Sequence, residues 1–121
     1  HPRVYGDLLA ERLRQSGAAT WLLNTGWTGG AYGTGRRIDI ASTRRLLDAA
    51  LSGELDATPM RIDPVFGLAV PLAVSGVDAT LLDPRACWTD PEAYDAAARA
   101  LLKRFTDNFR KFDQPQTQAA E

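Results

Sequence analysis

Residues 24–38 read NTGWTGGAYGTGRRI, and five of the ten glycines in this 121-residue chain lie within that stretch. Glycine adopts positive φ angles at little cost and lets other groups approach the backbone closely. The sequence therefore predicts a loop over residues 26–35. Arg36 and Arg37 follow directly, and their planar guanidinium groups suit phosphate binding or ring stacking. Two interpretations stand: a nucleotide-contacting loop, or a glycine-rich surface connection with two solvated arginines.

The known phosphate-binding motifs do not fit this loop. Residues 30–37 read GAYGTGRR, whereas a P-loop requires G-x-x-x-x-G-K-[ST]. Position 36 is arginine rather than lysine, and position 37 offers no hydroxyl for magnesium. A G-x-G-x-x-G dinucleotide fingerprint is also absent after the preceding apolar run. The loop is therefore not expected to cradle phosphates.

The segments before the loop predict a helix and a strand. Apolar residues recur at helical spacing over residues 3–16 between charged ones, which predicts an amphipathic helix ended by Gly17. Residues 18–25 form a short apolar run that includes Trp21, and the run predicts a strand buried on both faces.

The segments after the loop continue the alternation of strands and helices. Residues 37–40 predict a short extended segment. Ser42 or Thr43 is expected to cap a helix that places Leu46, Leu47, Ala50 and Leu51 on one face and is closed by Gly53. Residues 59–71 predict an extended segment in which Pro64 confines any strand to an edge or to the residues after it.

The C-terminal part of the chain predicts an irregular connection and a long helix. Residues 72–90 are expected to be irregular, and Asp90-Pro91-Glu92 is typical of a helix start. The apolar stripe expected on this helix consists of Tyr94, Ala98, Leu101, Leu102, Phe105, Phe109 and Phe112. Residues 1–112 are interpreted as one α/β unit and residues 113–121 as a polar flexible tail.

Composition excludes several classes of protein. Hydrophobic residues make up 45% of the chain, charged residues 24%, and the net charge is −1, as in ordinary globular proteins. The basic stripe of a nucleic-acid-binding protein is missing, and no apolar run approaches the roughly 20 residues of a membrane span. The chain starts with neither Met nor a signal-peptide pattern, which suggests a start inside a longer cytoplasmic protein.

Catalytic and metal-binding constellations are equally scarce. The sole histidine is His1 and the sole cysteine is Cys87, so a Ser-His-Asp triad, a thiolate metal site or an internal disulfide is not expected. Cys87 beside Trp88 is interpreted as packing. The acidic pairs Glu54/Asp56 and Asp90/Glu92 are interpreted as capping or solvated groups. The sequence therefore predicts no catalytic and no metal-binding residue.

Residues 24–38 closely resemble a signature of ATP-dependent phosphoenolpyruvate carboxykinases. Further similar segments follow in the same order along the chain: residues 42–44, 50–55, 64–68, 82–85 and 105–109. The resemblance implies that the chain is the C-terminal part of that enzyme's mononucleotide-binding domain, a mixed sheet flanked by helices. It favours the nucleotide-contacting interpretation of the loop.

The resemblance also implies a function and three binding residues. The intact enzyme converts oxaloacetate and ATP to phosphoenolpyruvate, CO2 and ADP in cytosolic gluconeogenesis, with Mg²⁺ and Mn²⁺. In it, Arg37 and Ile38 are expected to border the base and ribose of ATP, and Thr43 to contact the nucleotide. Arg36 stands where the family usually has lysine, and Asp39 where a small hydroxyl residue is common.

The resemblance implies absences as well. The P-loop, the metal ligands and the oxaloacetate-binding arginine of the family would precede these 121 residues, so the chain alone is expected to be inactive and to need the remainder of the parent enzyme. A non-catalytic module that binds a nucleotide or docks a partner, and a glycine-rich structural module without a ligand, remain the alternatives.

Overall fold

A computed structural model of the chain describes residues 2–113, and their side chains as far as Arg110. The chain divides into two compact units. One unit is formed by the two ends of the chain, up to Thr20 and from Ala100 onward, and the other by Trp21–Arg99.

In the first unit, helix α1 spans Pro2–Ser16 as the apolar spacing predicts. Gly17 follows with φ 64°, and its N–H donates to the carbonyl of Leu13 at 3.0 Å, so the predicted C-cap is confirmed. No residue of α1 is buried. Val4, Tyr5, Leu8 and Leu9 are all more than half exposed. The helix thus has an apolar face that the described residues do not cover.

The strand predicted over residues 18–25 is not formed. These residues have no regular structure, and Leu22 is 83% exposed although Trp21 packs against the core. A strand needs a neighbour for its N–H and C=O groups, and no strand of residues 2–113 pairs with this segment. The apolar composition of the run was therefore misleading.

The glycine loop begins and ends in a small hairpin. Strand β1 (Trp27–Thr28) pairs antiparallel with β2 (Arg36–Arg37). The loop prediction is thus correct for residues 29–35, whereas residues 27 and 28 belong to a strand. Residue 40, which was expected to be extended, already lies in the next helix.

Helix α2 spans Ile40–Leu51, and its N-cap is Asp39 rather than Ser42 or Thr43. The carboxylate of Asp39 accepts from the Ser42 backbone N–H and from the Ser42 hydroxyl, both at 2.7 Å. The prediction of the cap was wrong by one turn because a carboxylate three residues upstream satisfies the same N–H groups. At the other end, Gly53 follows the helix with φ 79°, as expected.

The segment 59–71 forms a second hairpin instead of one extended stretch. Strand β3 (Met60–Ile62) pairs antiparallel with β4 (Ala69–Pro71). Asp63 organises the turn, since its carboxylate accepts from the N–H groups of Val65 and Phe66 at 2.9 and 2.7 Å. Pro64 lies in this turn, so it separates two strands rather than preceding one.

The connection over residues 72–90 contains more structure than expected. A 3-10 helix over Ala79–Leu82 and the short helix α3 (Pro84–Cys87) are started by the side chains of Asp78 and Asp83. Such acid-capped turns are too short to produce an apolar period in the sequence.

Helix α4 spans Pro91–Asp113. Asp90 accepts from the N–H groups of Glu92 and Ala93, so the predicted helix start is confirmed. Ala98 is buried and Tyr94 is half-buried. The other described members of the predicted stripe are exposed: Leu101, Leu102, Phe105 and Phe109. The Phe112 side chain and residues 114–121 of the predicted tail lie outside the described part of the chain.

The core of the second unit is small. Ala49 of α2 packs with Leu55, Val74 and Leu82. Helices and small antiparallel sheets make up the described fold, which is consistent with the α/β class. Both sheets are two-stranded, so residues 2–113 do not themselves form the mixed sheet that was expected.

Candidate functional site

The candidate site is the β1–β2 hairpin and the first turn of α2. In the hairpin, Trp27 lies opposite Arg37 and Thr28 lies opposite Arg36. The N–H of Ile38 donates to the carbonyl of Gly26 at 2.9 Å, which extends the pairing by one bond. This short ladder fixes the position of the two arginines relative to the loop.

The glycines are required by the packing of the loop on itself. A methyl group at Gly35 would lie 2.7 Å from the carbonyl oxygens of both Gly30 and Thr28. A methyl group at Gly30 would lie 2.8 Å from the Thr34 hydroxyl and 3.0 Å from the Gly35 nitrogen. Real Cβ atoms do not approach backbone this closely, so both positions need glycine even without a ligand.

Strand geometry separates the two arginines, because neighbouring residues of a strand point to opposite faces. The face of Arg36 carries Thr28, which is only 8% exposed. The face of Arg37 carries Trp27, which is 40% exposed. Arg37 therefore belongs to the solvent-facing side of the hairpin.

The two arginines also differ in their electrostatic surroundings. Asp78 accepts hydrogen bonds from the backbone N–H and the hydroxyl of Thr80, and these bonds, with a smaller contribution from the charge of Arg36, lower the pKa of Asp78. Among residues 2–113, no carboxylate forms an ion pair with Arg37. Its guanidinium group is thus available for an anionic or aromatic ligand.

An exposed aromatic pair lies in the same hairpin. The rings of Trp27 and Tyr32 have centroids 5.5 Å apart and an interplanar angle of 75°, an edge-to-face arrangement. Tyr32 is 88% exposed. Large aromatic side chains are usually covered in a folded protein, so this pair requires an explanation beyond the packing of the loop.

The first turn of α2 holds the remaining residue of the predicted site. The backbone N–H of Thr43 donates to the Asp39 carbonyl at 3.1 Å, and its side chain is half-buried. The Thr43 hydroxyl has no hydrogen-bond partner among residues 2–113 but is not sealed from solvent. It is therefore free to bond a ligand.

Asp39 resolves a question raised by the sequence. Its carboxylate is engaged with Ser42, and these hydrogen bonds lower the pKa of Asp39. Aspartate and small hydroxyl residues are equally good N-caps, so the carboxylate at this position replaces a hydroxyl in the same structural task. It does not form an ion pair with Arg37 among the described contacts.

The three predicted site residues thus lie on one continuous segment. Arg37 ends β2, Ile38 follows it, and Thr43 lies in the first turn of the next helix. Ile38 is buried, with 9% of its surface exposed, so it can offer a ligand mainly its backbone. The structure brings these residues together through one cap and one hairpin, without a long-range contact.

Groups for chemistry are not assembled here. Among residues 2–113, no three His, Cys, Asp or Glu side chains are grouped so that they could hold a metal ion. The thiol of Cys87 donates to the carbonyl of Thr80 at 2.7 Å. No helix in the described part of the chain is both long and apolar enough to cross a membrane. The arrangement can bind and orient a ligand but offers no general base beside it.

Two features of the site were missed in the sequence. Trp27 and Tyr32 are five residues apart, and only the folding of the loop brings their rings together. Asp78 is separated from Arg36 by more than forty residues, so no local pattern could have paired them. The Asp39 cap, by contrast, had a signal in its three-residue spacing from Ser42.

Comparison with known proteins gives a consistent result. The family model described as phosphoenolpyruvate carboxykinase matches residues 1–80. The chain is 59% identical over 113 residues to the phosphoenolpyruvate carboxykinase (ATP) of Rhizobium rhizogenes strain K84. It is 57% identical over 111 residues to that of Paracoccus denitrificans strain Pd 1222, and 55% identical over 111 residues to one from Cereibacter sphaeroides.

The coverage of these matches is unequal. They include 92–93% of this chain but only 21% of each relative. The chain therefore spans about a fifth of the length of the relatives it matches.

Proposed function

Because the chain belongs to the phosphoenolpyruvate carboxykinase family, whose model matches residues 1–80, we propose that it supplies the adenine and ribose side of an ATP site. The parent reaction would be the conversion of oxaloacetate and ATP to phosphoenolpyruvate, CO2 and ADP in cytoplasmic gluconeogenesis. The relatives that carry this name are about five times as long as the matched segment, so the remainder of such an enzyme is the first partner proposed.

The observation that carries this proposal is the availability of Arg37. It lies on the exposed face of the hairpin and has no ion pair among residues 2–113. A guanidinium plane can stack on a purine or donate to its ring nitrogens and to ribose oxygens. Ile38 contributes backbone atoms and Thr43 a free hydroxyl, which together suit a nucleoside with several polar edges.

The residues of this chain would bind and orient ATP rather than transform it. ATP supplies the phosphoryl group of the reaction, and its transfer requires positively charged groups around the phosphates. Neither a phosphate cradle nor a metal cluster occurs among residues 2–113, so Mg²⁺ and Mn²⁺ would be held elsewhere. The role of Arg37, Ile38 and Thr43 is to fix the base and ribose so that the phosphates reach those groups.

A second candidate function is a non-catalytic module that binds a nucleotide or docks a partner chain. The observation in its favour is that Gly30 and Gly35 are explained by packing within the loop. The uncovered apolar face of α1 would suit docking. This candidate predicts that the chain never contributes to turnover.

A chimera separates the two candidates. This chain would replace the 111-residue matching segment of the Paracoccus denitrificans relative, and turnover would be measured with oxaloacetate, ATP and Mn²⁺. We expect the chimera to be active and this chain alone to be inactive. A chimera that folds but neither binds ATP nor turns over would contradict the proposed function.

The Arg37→Ala variant of the chimera tests the assignment of the site. We expect its KM for ATP to rise about tenfold or more, as for the loss of a charge-assisted or cation–π contact. Arg12→Ala is the matched control, because Arg12 is an exposed arginine of α1 without an ion pair to a described residue. Equal KM values for the two variants would remove Arg37 from the site.

A further inference from the structure

We propose that Trp27 and Tyr32 form an aromatic wall that stacks on the purine base beside Arg37. This inference rests on the proposed function, because it adds residues to the same nucleotide site. The two residues were not singled out by sequence reasoning as ligands; the geometry of the hairpin points to them.

The first argument is that the rings are held in place yet uncovered. Their edge-to-face contact at 5.5 Å fixes Tyr32 against Trp27, and the close packing of Gly30 on Gly35 closes the loop that carries Tyr32. Even so, 88% of Tyr32 and 40% of Trp27 remain exposed. A positioned ring with a free face is the arrangement that proteins use to stack a nucleic acid base.

The second argument is charge. Trp27 and Arg37 are directly opposite each other in the ladder and so share one face of the hairpin. The guanidinium has no ion pair among residues 2–113. A purely apolar partner segment would leave this cation desolvated and unpaired, which is costly. A nucleotide offers a flat ring for the aromatic wall and an electron-rich edge and phosphates for the arginine.

The third argument is the proximity of the polar groups. The N–H of Ile38 is bonded to Gly26, which directly precedes Trp27. The face that carries Trp27 is therefore continuous with the segment that leads to the free hydroxyl of Thr43. One planar ligand could contact the wall with its base while its ribose reaches this segment.

The test uses the active chimera and two ligands. Tyr32→Ala is expected to raise the KM for ATP about five- to fiftyfold, the usual range for losing one base-stacking ring. It should leave the inhibition constant of inorganic tripolyphosphate, which has no base, unchanged. Tyr32→Phe should behave as the parent, because the ring rather than the hydroxyl provides the contact. Trp27→Ala should resemble Tyr32→Ala, since the rings support each other.

Tyr5→Ala is the matched control, because it removes a tyrosine of α1 that is 73% exposed. The inference is overturned if Tyr32→Ala leaves the KM for ATP unchanged, or weakens ATP and tripolyphosphate equally. It is also overturned if the substitution lowers the melting temperature of the chimera without changing KM, which would mean that the wall contacts protein. In each of these cases a raised KM for Arg37→Ala preserves the proposed function, whereas its failure as well would remove both.

Discussion

Gly35 occupies a position where no side chain can be accommodated without moving backbone. Its missing Cβ would lie 2.7 Å from two carbonyl oxygens, those of Gly30 and Thr28. The hairpin that presents Arg37 therefore depends on a residue that makes no contact with a ligand. This separates the structural task of the glycines from the binding task of the arginine.

A substitution at Gly35 tests this dependence. Gly35→Ala is expected to destabilise the hairpin by about 1–3 kcal/mol, the usual cost of overpacking. The measurement is amide hydrogen exchange at Ile38, whose N–H donates to Gly26. Gly6→Ala is the control, because nothing lies within 4 Å of its added methyl group. Unchanged protection of Ile38 in Gly35→Ala would show that the loop can relax at no cost.

The N-cap of α2 makes a prediction about pH. The folded pKa of Asp39 is lowered from its model value of 3.8 by hydrogen bonds from Ser42. The contribution of the charged cap is therefore complete above that value and is lost as the pH falls through the lower folded pKa. Urea unfolding of the chain between pH 7 and pH 2 should show this acid-dependent loss of stability.

The variant Asp39→Asn provides the comparison. Asparagine is also a good N-cap but does not titrate, so the variant should lose less stability than the parent between pH 5 and pH 2. Parallel profiles for parent and variant would mean that the Asp39 carboxylate does not distinguish the folded from the unfolded chain.

At the scale of elements, an ion pair joins α2 to the turn that follows it. Nη2 of Arg45 donates to both carboxylate oxygens of Glu54 at 2.7 and 2.6 Å, and the two side chains are 30% and 36% exposed. Partial burial reduces screening by water, so this pair is expected to contribute more than a fully solvated one.

Replacing Arg45 measures this contribution. Arg45→Met is expected to lower the free energy of unfolding by about 0.5–1.5 kcal/mol, since Glu54 loses its partner while part of it remains accessible to water. Lys103→Met removes an exposed pair with Asp107 on α4 and should cost at most about 0.5 kcal/mol. Equal effects in urea unfolding would show that burial does not strengthen the Arg45 pair.

The same scale explains why a helix can be predicted more reliably than its surroundings. The spacing of α1 and the Asp90-Pro91 start of α4 are local signals, and both were confirmed. The strand expected at residues 18–25 was wrong because strand formation depends on a partner that the local sequence does not specify. Hairpin β3–β4 was missed because Asp63 and Gly67 create the turn around Pro64.

For the whole molecule, the balance between buried and exposed apolar residues is the decisive feature. Six hydrophobic residues of the described chain are buried: Ile38, Ala49, Leu55, Val74, Leu82 and Ala98. Many larger ones are exposed, including the apolar face of α1. Exposed apolar faces of this kind bind apolar dyes and associate with other surfaces.

Binding of the dye 1-anilinonaphthalene-8-sulfonate tests this feature in solution. We expect the isolated chain to enhance the dye's fluorescence, and Leu8→Lys to reduce the enhancement by about half by interrupting the α1 face. Gln15→Lys is the control, because it adds the same charge to α1 at an exposed polar position. An equal signal from both variants would mean that the dye binds elsewhere.

The sequence by itself determined the family, the two long helices and the segment that holds Arg37, Ile38 and Thr43, because caps, apolar periods and a distinctive glycine pattern are all local. Only the tertiary structure decided that the glycines pack against one another, that Arg36 lies near Asp78, and that Trp27 and Tyr32 share the exposed side of a hairpin with Arg37. Those relations join residues through strand pairing and loop closure, and such contacts are selected by the free energy of the folded chain rather than by any short stretch of it.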